Sequence, residues 1–234
     1  MAQIHNRILK PFLILCEGKD VENFMINYLE SDALAYDSRF SNDIQTFDFK
    51  GINDLKAFIG TLVRMDGFDL VCQILVLRDA ETDVDKAITN IQNAFRVNDL
   101  LVPERPHTWK KESDSDKPAT AFTLLPKCDP EPTTGALEDL CWNILKDKHA
   151  NQMRNDVLGF INDIKNNYGT ISTHEHKSRL HTYFSVNEKY ISLKIGEAAK
   201  VGAFAWDHEK LDGLKNIMLE GLDMLNRARF RNNK

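Results

Sequence analysis

Long apolar runs are missing from this chain of 234 residues. No stretch approaches the roughly 20 residues that span a membrane. The opening MAQIHNRILKPFLILCEGKD has a short apolar run followed by acid, too short for a signal peptide and with no small-residue cleavage site after it. The expectation is a protein with no membrane association. Cysteine is scarce: Cys16, Cys72, Cys128 and Cys141 form no C-x-x-C pair, which argues against a zinc site. Cys16 and Cys72 lie in or beside apolar runs and read as buried thiols, suggesting a reducing cytoplasm. Positive charge is in deficit: 30 Lys and Arg against 35 Asp and Glu leave a net charge of −5, which disfavours sequence-independent nucleic-acid binding unless charge is segregated. The tail RARFRNNK, with Arg227, Arg229, Arg231 and Lys234, reads as a solvated terminus. No G-x-x-x-x-G-K-[ST] occurs, since Gly18-Lys19 lacks both the upstream glycine and the hydroxyl. No G-x-S-x-G occurs either. Intrinsic P-loop ATPase activity and a serine nucleophile elbow are both excluded as readings.

What is present is an ordinary soluble composition, 42% apolar and 28% charged, enough to bury a core without disulfides or a structural metal. The first half alternates short apolar runs with helical patterns. PFLILC (11–16), IQTFDF (44–49), LVCQILVL (70–77) and AFTLLP (121–126) read as strands. Between them, Val21, Phe24, Met25, Tyr28 and Leu29 recur at helical spacing, with Asp20 as the expected cap. Leu55, Phe58, Ile59 and Leu62 stripe a second helix, and Val84, Ile88, Ile91 and Phe95 a third. This alternation predicts an α/β fold: a parallel sheet of about four strands, buried on both faces and flanked by helices. Residues 102–118 read as a polar, proline-bearing surface loop. Beyond residue 133 the pattern is mostly helical, so residues 1–132 are assigned to an α/β core and 133–234 to a helical extension packed on the same domain.

The stretch LVLRDAETDVD (75–85) runs from an apolar strand straight into Asp79, Glu81, Asp83 and Asp85. Like charges this close repel, so something must compensate them. Thr82 is the expected N-cap of the following helix, which puts Asp83 and Asp85 in its first turn, where acids are favoured by roughly 0.3–1 kcal/mol each. Asp79 and Glu81 precede the cap and need another reason. In parallel α/β sheets ligands sit beyond the carboxyl ends of the strands, and Glu17 ends the first strand as Asp79 ends the third. Three carboxylates on one edge suit Mg²⁺, a hard cation that takes oxygen ligands.

A strand ending in E-G followed by one ending in an acidic pair resembles the Toprim domain, here as ILCEGKD (14–20) and VLRDAETD (76–83). Glu81 stands where that family usually has its second aspartate; it keeps the charge and reaches one methylene further. DFKGINDL (48–55), TGALEDLC (134–141), HKSRLHTYFS (176–185) and KIGEAAKVGAFAWD (194–207) are similar to blocks of a narrower group, small prokaryotic Toprim-like proteins related to the OLD-type nucleases. The resemblance implies a Toprim-like, Rossmann-like fold and metal-dependent phosphodiester hydrolysis on nucleic acid, with Mg²⁺ or Mn²⁺ as cofactor. Glu17 would bind metal or act as general acid/base. Asp79 and Glu81 would be metal ligands, Glu138 would complete or add a metal site, and Lys177 would stand near the scissile phosphate. Because OLD-type nucleases couple Toprim to an ATPase, such a motor would here be a separate chain. The alternative is a non-catalytic nucleotide- or nucleic-acid-binding module acting with that partner.

Plainer readings compete for several of these residues. Glu138 and Asp139 fall early in a helix expected to begin near Thr134, where acids suit the helix dipole. Ser172 and Glu175 form an S-x-x-E capping box. His174 and His176, two apart, do not share a helix face, so the histidines of HEHKSRLH (174–181) read as surface residues rather than zinc ligands. A haloacid-dehalogenase-like phosphatase would expect D-x-D-x-T, and D-A-E-T-D does not supply it.

Overall fold

The computed structural model of the protein describes residues 7–51, 53–113, 115–169 and 174–232, with side chains to residue 227. Ser172 and the tail side chains of Arg229, Arg231 and Lys234 lie outside what is described. The four apolar runs form β1 (Phe12–Cys16), β2 (Ile44–Asp48), β3 (Gln73–Asp79) and β4 (Ala119–Leu125), all parallel, in the order β2-β1-β3-β4. Around them lie α1 (Gly18–Leu29), α2 (Arg39–Asp43), α3 (Leu55–Leu62) and α4 (Val84–Val97), followed by α5 (Leu137–Asn143), α6 (Ala150–Tyr168), α7 (Glu175–Val186), α8 (Ile195–Lys200) and α9 (Asp212–Asn232). This is a Rossmann-like α/β fold with a helical C-terminal segment. Among the described residues no helix is long and apolar enough to cross a membrane.

The period-2 alternation of strands divides the core in two. Phe12, Ile14, Cys16, Leu75, Leu77, Ala121 and Leu125 face α1 and the C-terminal helices. Leu13, Leu15, Ile74, Val76, Phe122 and Leu124 face α3 and α4, against Ile59, Leu62, Ile91 and Phe95. Right-handed crossovers require this split. The β1 to β2 connection runs one way along the sheet, while β2 to β3 and β3 to β4 run the other way, so their helices cover opposite faces. Each fully buried Leu, Ile or Phe contributes about 1.5–3 kcal/mol, and both faces of β1 and β3 carry them. One cluster of buried side chains holds Phe12, Phe24, Leu140, Tyr183, Phe204 and Leu214 together. α8 comes so close to α1 that a Cβ on Gly196 would lie 2.4 Å from the Cβ of Asn23.

Several helix boundaries differ from the sequence expectation. α1 begins at Gly18 with Glu17, not Asp20, at the N-cap, because the chain turns into helix directly from the strand end. α4 is capped by Asp83 rather than Thr82: its carboxylate accepts from the Lys86 amide at 2.9 Å. α5 starts at Leu137, not near Thr134, with Asp139 accepting from the Ala136 amide at 2.9 Å. The segment 102–118 is anchored inward as well as exposed. Trp109 packs edge-on against Phe12 at 5.5 Å and donates its indole N–H to the Ile217 carbonyl at 3.1 Å. Cys16, Cys128 and Cys141 are buried thiols, while Cys72 is half-buried.

Candidate functional site

In the order β2-β1-β3-β4 the chain leaves β1 toward one side and later crosses back to the other, so the switch in direction falls between β1 and β3. A crevice opens beyond strand ends at such a point, and open α/β sheets bind ligands there. Glu17 and Asp79 occupy those two ends. The Glu17 amide bonds the Leu77 carbonyl at 3.1 Å, which fixes Glu17 beside β3. Its Oε2 accepts from the Asp79 amide at 3.3 Å.

Two further elements close the site. Leu137, first residue of α5, donates its amide to Asp79 Oδ1 at 2.9 Å, so the N-terminal end of that helix points at the β3 acid. Glu81 exchanges both backbone bonds with Gly135, 2.8 Å each way. This bridge holds Glu81 at φ 55°, a left-handed conformation uncommon away from glycine. Gly135, at φ 136°, has no room for a side chain: a Cβ would lie 2.7 Å from Asp139 Oδ2 and 3.0 Å from Pro126 Cδ. The residue after Leu137 is Glu138, largely buried, with Lys177 Nζ 3.9 Å from its Oε1. Lys177 reaches it because α7 is tied down two residues further on: Arg179 pairs with Asp139 and lies 5.8 Å from the centroid of the Trp142 ring.

Electrostatics link all of these groups. Burial pushes the Asp79 carboxyl well above the ordinary carboxylate range, and the charges of Glu138, Glu17 and Glu81 push the same way, opposed by the Leu137 amide. Burial also raises the Glu17 carboxyl; Arg78, the Asp79 amide and Lys177 pull it down, and Glu81 pushes it up. Glu17, Asp79, Glu81, Glu138 and Lys177 therefore share one neighbourhood. Asp83 and Asp85 are absorbed by the start of α4, and Asp139 by the start of α5 and by Arg179. His174 and His176 stack edge-on at 5.7 Å. The expected partner of Glu175, Ser172, lies outside the described residues; Glu175 pairs with Lys165 at 3.3 Å.

The residue that sequence reasoning passed over is Arg78. Its side chain is 0% exposed, and its Nε lies 3.4 Å from Glu17 Oε2 and 3.3 Å from the Asp79 carbonyl. The signal was present: an arginine that follows the apolar run ILVL in a strand buried on both faces needs a counter-charge.

The donor set is all oxygen, and its negative charge is only partly balanced, which fits a hard divalent cation. Among the described residues no three His, Cys, Asp or Glu side chains are arranged as a ready-made metal cage. Mg²⁺ is commonly bound through one or two carboxylates, with waters and substrate phosphate completing its shell.

The fold and this edge together define a Rossmann-like α/β protein with an acidic crevice at its switch point. The chain belongs to the family DUF3226, described as a protein of unknown function, which it matches over residues 11–222. No curated protein and no solved structure matches it.

Proposed function

We propose that this protein is a Mg²⁺- or Mn²⁺-dependent phosphodiesterase acting on nucleic acid, of the Toprim type and related to the OLD nucleases. The observation that carries the reading is the convergence of Glu17, Asp79, Glu81 and Glu138, from three separate parts of the chain, on the switch point of the sheet, with Asp79 held there against the repulsion of the other three. Repelling carboxylates in a partly buried crevice are relieved by protonation or by a balancing positive charge, and a bound cation would supply the second. One or two carboxylates drawn from Glu17, Asp79, Glu81 and Glu138 would hold the cation, with waters and substrate phosphate completing its shell. When bound, it supplies Lewis acidity toward a phosphoryl oxygen and makes water a better nucleophile. Glu17 would serve as general acid/base. Lys177, half-exposed and 3.9 Å from Glu138, would meet charge developing on the phosphate oxygens. The buried thiols support a reducing cytoplasm as its setting.

The test is cleavage of supercoiled plasmid, single-stranded DNA and RNA with Mg²⁺, Mn²⁺ or EDTA. Wild type is compared with an Asp79→Asn/Glu81→Gln double variant. Metal-dependent cleavage lost in a folded double variant is expected. Cleavage that survives EDTA or the double substitution would refute the assignment. A second reading, a non-catalytic nucleotide- or nucleic-acid-binding module working with a separate ATPase, is favoured by the net charge of −5 and by the protein donors already holding Glu17 and Asp79. It predicts metal-dependent nucleotide or nucleic-acid binding without turnover.

A further inference from the structure

Far from the strand ends, the C-terminal helices carry an apolar surface open to solvent. Between α6 and α7 runs a groove of about 380 Å³ lined by Met153, Asp156, Val157, Phe160, Thr182 and Val186. Phe160 is 55% and Val186 61% exposed. Single exposed apolar residues are ordinary, but a groove with two of them on its walls is a contiguous patch, the kind that marks an interaction site. Gly159 stands beside Phe160 in the middle of α6, where glycine weakens a helix. A Cβ built on it would meet nothing within 4 Å. Packing within the chain does not require this glycine; the close approach of another chain would.

Asp156 and Asp163 flank Gly159 at i−3 and i+4, on the same face of α6. Both are exposed. Nearby cations are committed elsewhere: Arg154 donates to the Trp142 and Asn143 carbonyls at 2.7 and 3.3 Å, and Lys165 pairs with Glu175 at 3.3 Å. Among the described residues Asp156 and Asp163 have no ion pair. An apolar strip therefore lies between two acids set seven residues apart, about 10.5 Å along a helix axis. Its complement is an apolar residue among cations at the same spacing. This chain contains such a stretch: Arg227, Phe230, Arg231 and Lys234 recur at i, i+3, i+4 and i+7, the spacing of one helix face. α9 carries the stretch as far as Asn232, and Arg227 is exposed. Among the described residues none of the groove's lining comes from α9; a second copy is what brings that segment to it.

We infer that this face is a self-association surface: the groove between α6 and α7 receives the basic, phenylalanine-bearing segment 227–234 of a second copy, with Phe230 entering beside Phe160 and the cations meeting Asp156 and Asp163. Reciprocal exchange gives a closed two-fold dimer with two identical contacts. The inference stands apart from the chemistry at the strand ends, and its test needs no metal. The measurement is sedimentation equilibrium of the full chain in EDTA over a range of chain and salt concentrations. Wild type should dimerise, and more weakly as salt screens the charges. Phe160→Asp, Arg227→Glu/Arg231→Glu and Asp156→Arg/Asp163→Arg should each weaken the dimer by about tenfold or more. Combining the two charge reversals in one chain should restore it, which a merely structural effect would not do. Circular dichroism establishes that each variant is folded. A dimer lost with Phe160→Asp but indifferent to Arg227→Glu/Arg231→Glu would seat α6 against α6 and overturn the segment as occupant. A dimer indifferent to Phe160→Asp would overturn the groove as the contact. A chain monomeric at every concentration would overturn the inference and leave the groove to a helix of a different protein.

Discussion

Asp79→Asn should make the metal-free protein more stable while removing its response to metal. Asp79 sits where burial and the charges of Glu138, Glu17 and Glu81 raise its carboxyl well above the ordinary range. A group whose pKa is higher in the folded than in the unfolded chain contributes full stability below its unfolded pKa. That stability is lost as pH rises through the folded value. Without a cation, stability is therefore lost as pH rises from the ordinary carboxylate range toward the folded pKa of Asp79, by about 1.4 kcal/mol for each pH unit. Asparagine removes the charge but keeps an oxygen to accept the Leu137 amide, now at 2.9 Å. For a chain of this length each kcal/mol moves Tm by about 2–4 °C, so a rise of about 3–6 °C per unit is expected. The assay is thermal unfolding followed by dye fluorescence or circular dichroism in EDTA and then in Mn²⁺, from pH 5 to 8. In EDTA the variant should melt higher than wild type, by a margin that widens as pH rises above the ordinary carboxylate range. Added Mn²⁺ should raise wild type and leave the variant nearly unmoved. A variant that melts at or below wild type in EDTA while folded at 25 °C would refute the account of Asp79 as a strained, cation-seeking acid.

Two further outcomes test the framework that holds the site. Asp83→Ala should cost about 1 kcal/mol in urea unfolding, the usual cost of losing an N-cap, while Thr82→Ala should stay within about 0.5 kcal/mol, as exposed substitutions do; the reverse order would restore Thr82 as the cap of α4. Asp147 accepts from the Tyr183 and Tyr190 hydroxyls at 2.7 Å each and from Asn187 at 3.1 Å. Asp147→Ala should therefore destabilise by about 3 kcal/mol in the same assay, because two buried hydroxyls lose their acceptor; a loss below about 1 kcal/mol would show that those hydroxyls find other partners.

The four strands were legible because each is a short apolar run bounded by helix or turn signals, and a parallel sheet buried on both faces requires such runs. Glu17, Asp79 and Glu81 were legible for a related reason: charged residues at the ends of apolar strands stand out from their surroundings. The helix starts were less legible, because Asp20, Thr82 and Thr134 all look like caps locally. The choice among neighbours depends on where the preceding strand ends. The resemblance to OLD-type nucleases suggested Glu138 and Lys177, but composition and spacing alone gave no reason to bring them to β3. Arg78 was visible as a residue and passed over, since its role depends on what lies against it.

The sequence by itself determined the fold class, the four strands, and which strand ends carry acid, because hydrophobic period and charge are local properties of the chain. Tertiary structure decided the strand order β2-β1-β3-β4, and with it the meeting of Glu17 and Asp79 at one crevice. It also brought the first residue of α5 to the Asp79 carboxylate, Lys177 to Glu138 and Arg78 to Glu17. These contacts join residues about 40 to 60 positions apart, at strand ends and in the first turns of helices. No local pattern encodes them, because they follow from how the crossovers and the C-terminal helices pack on a twisted sheet.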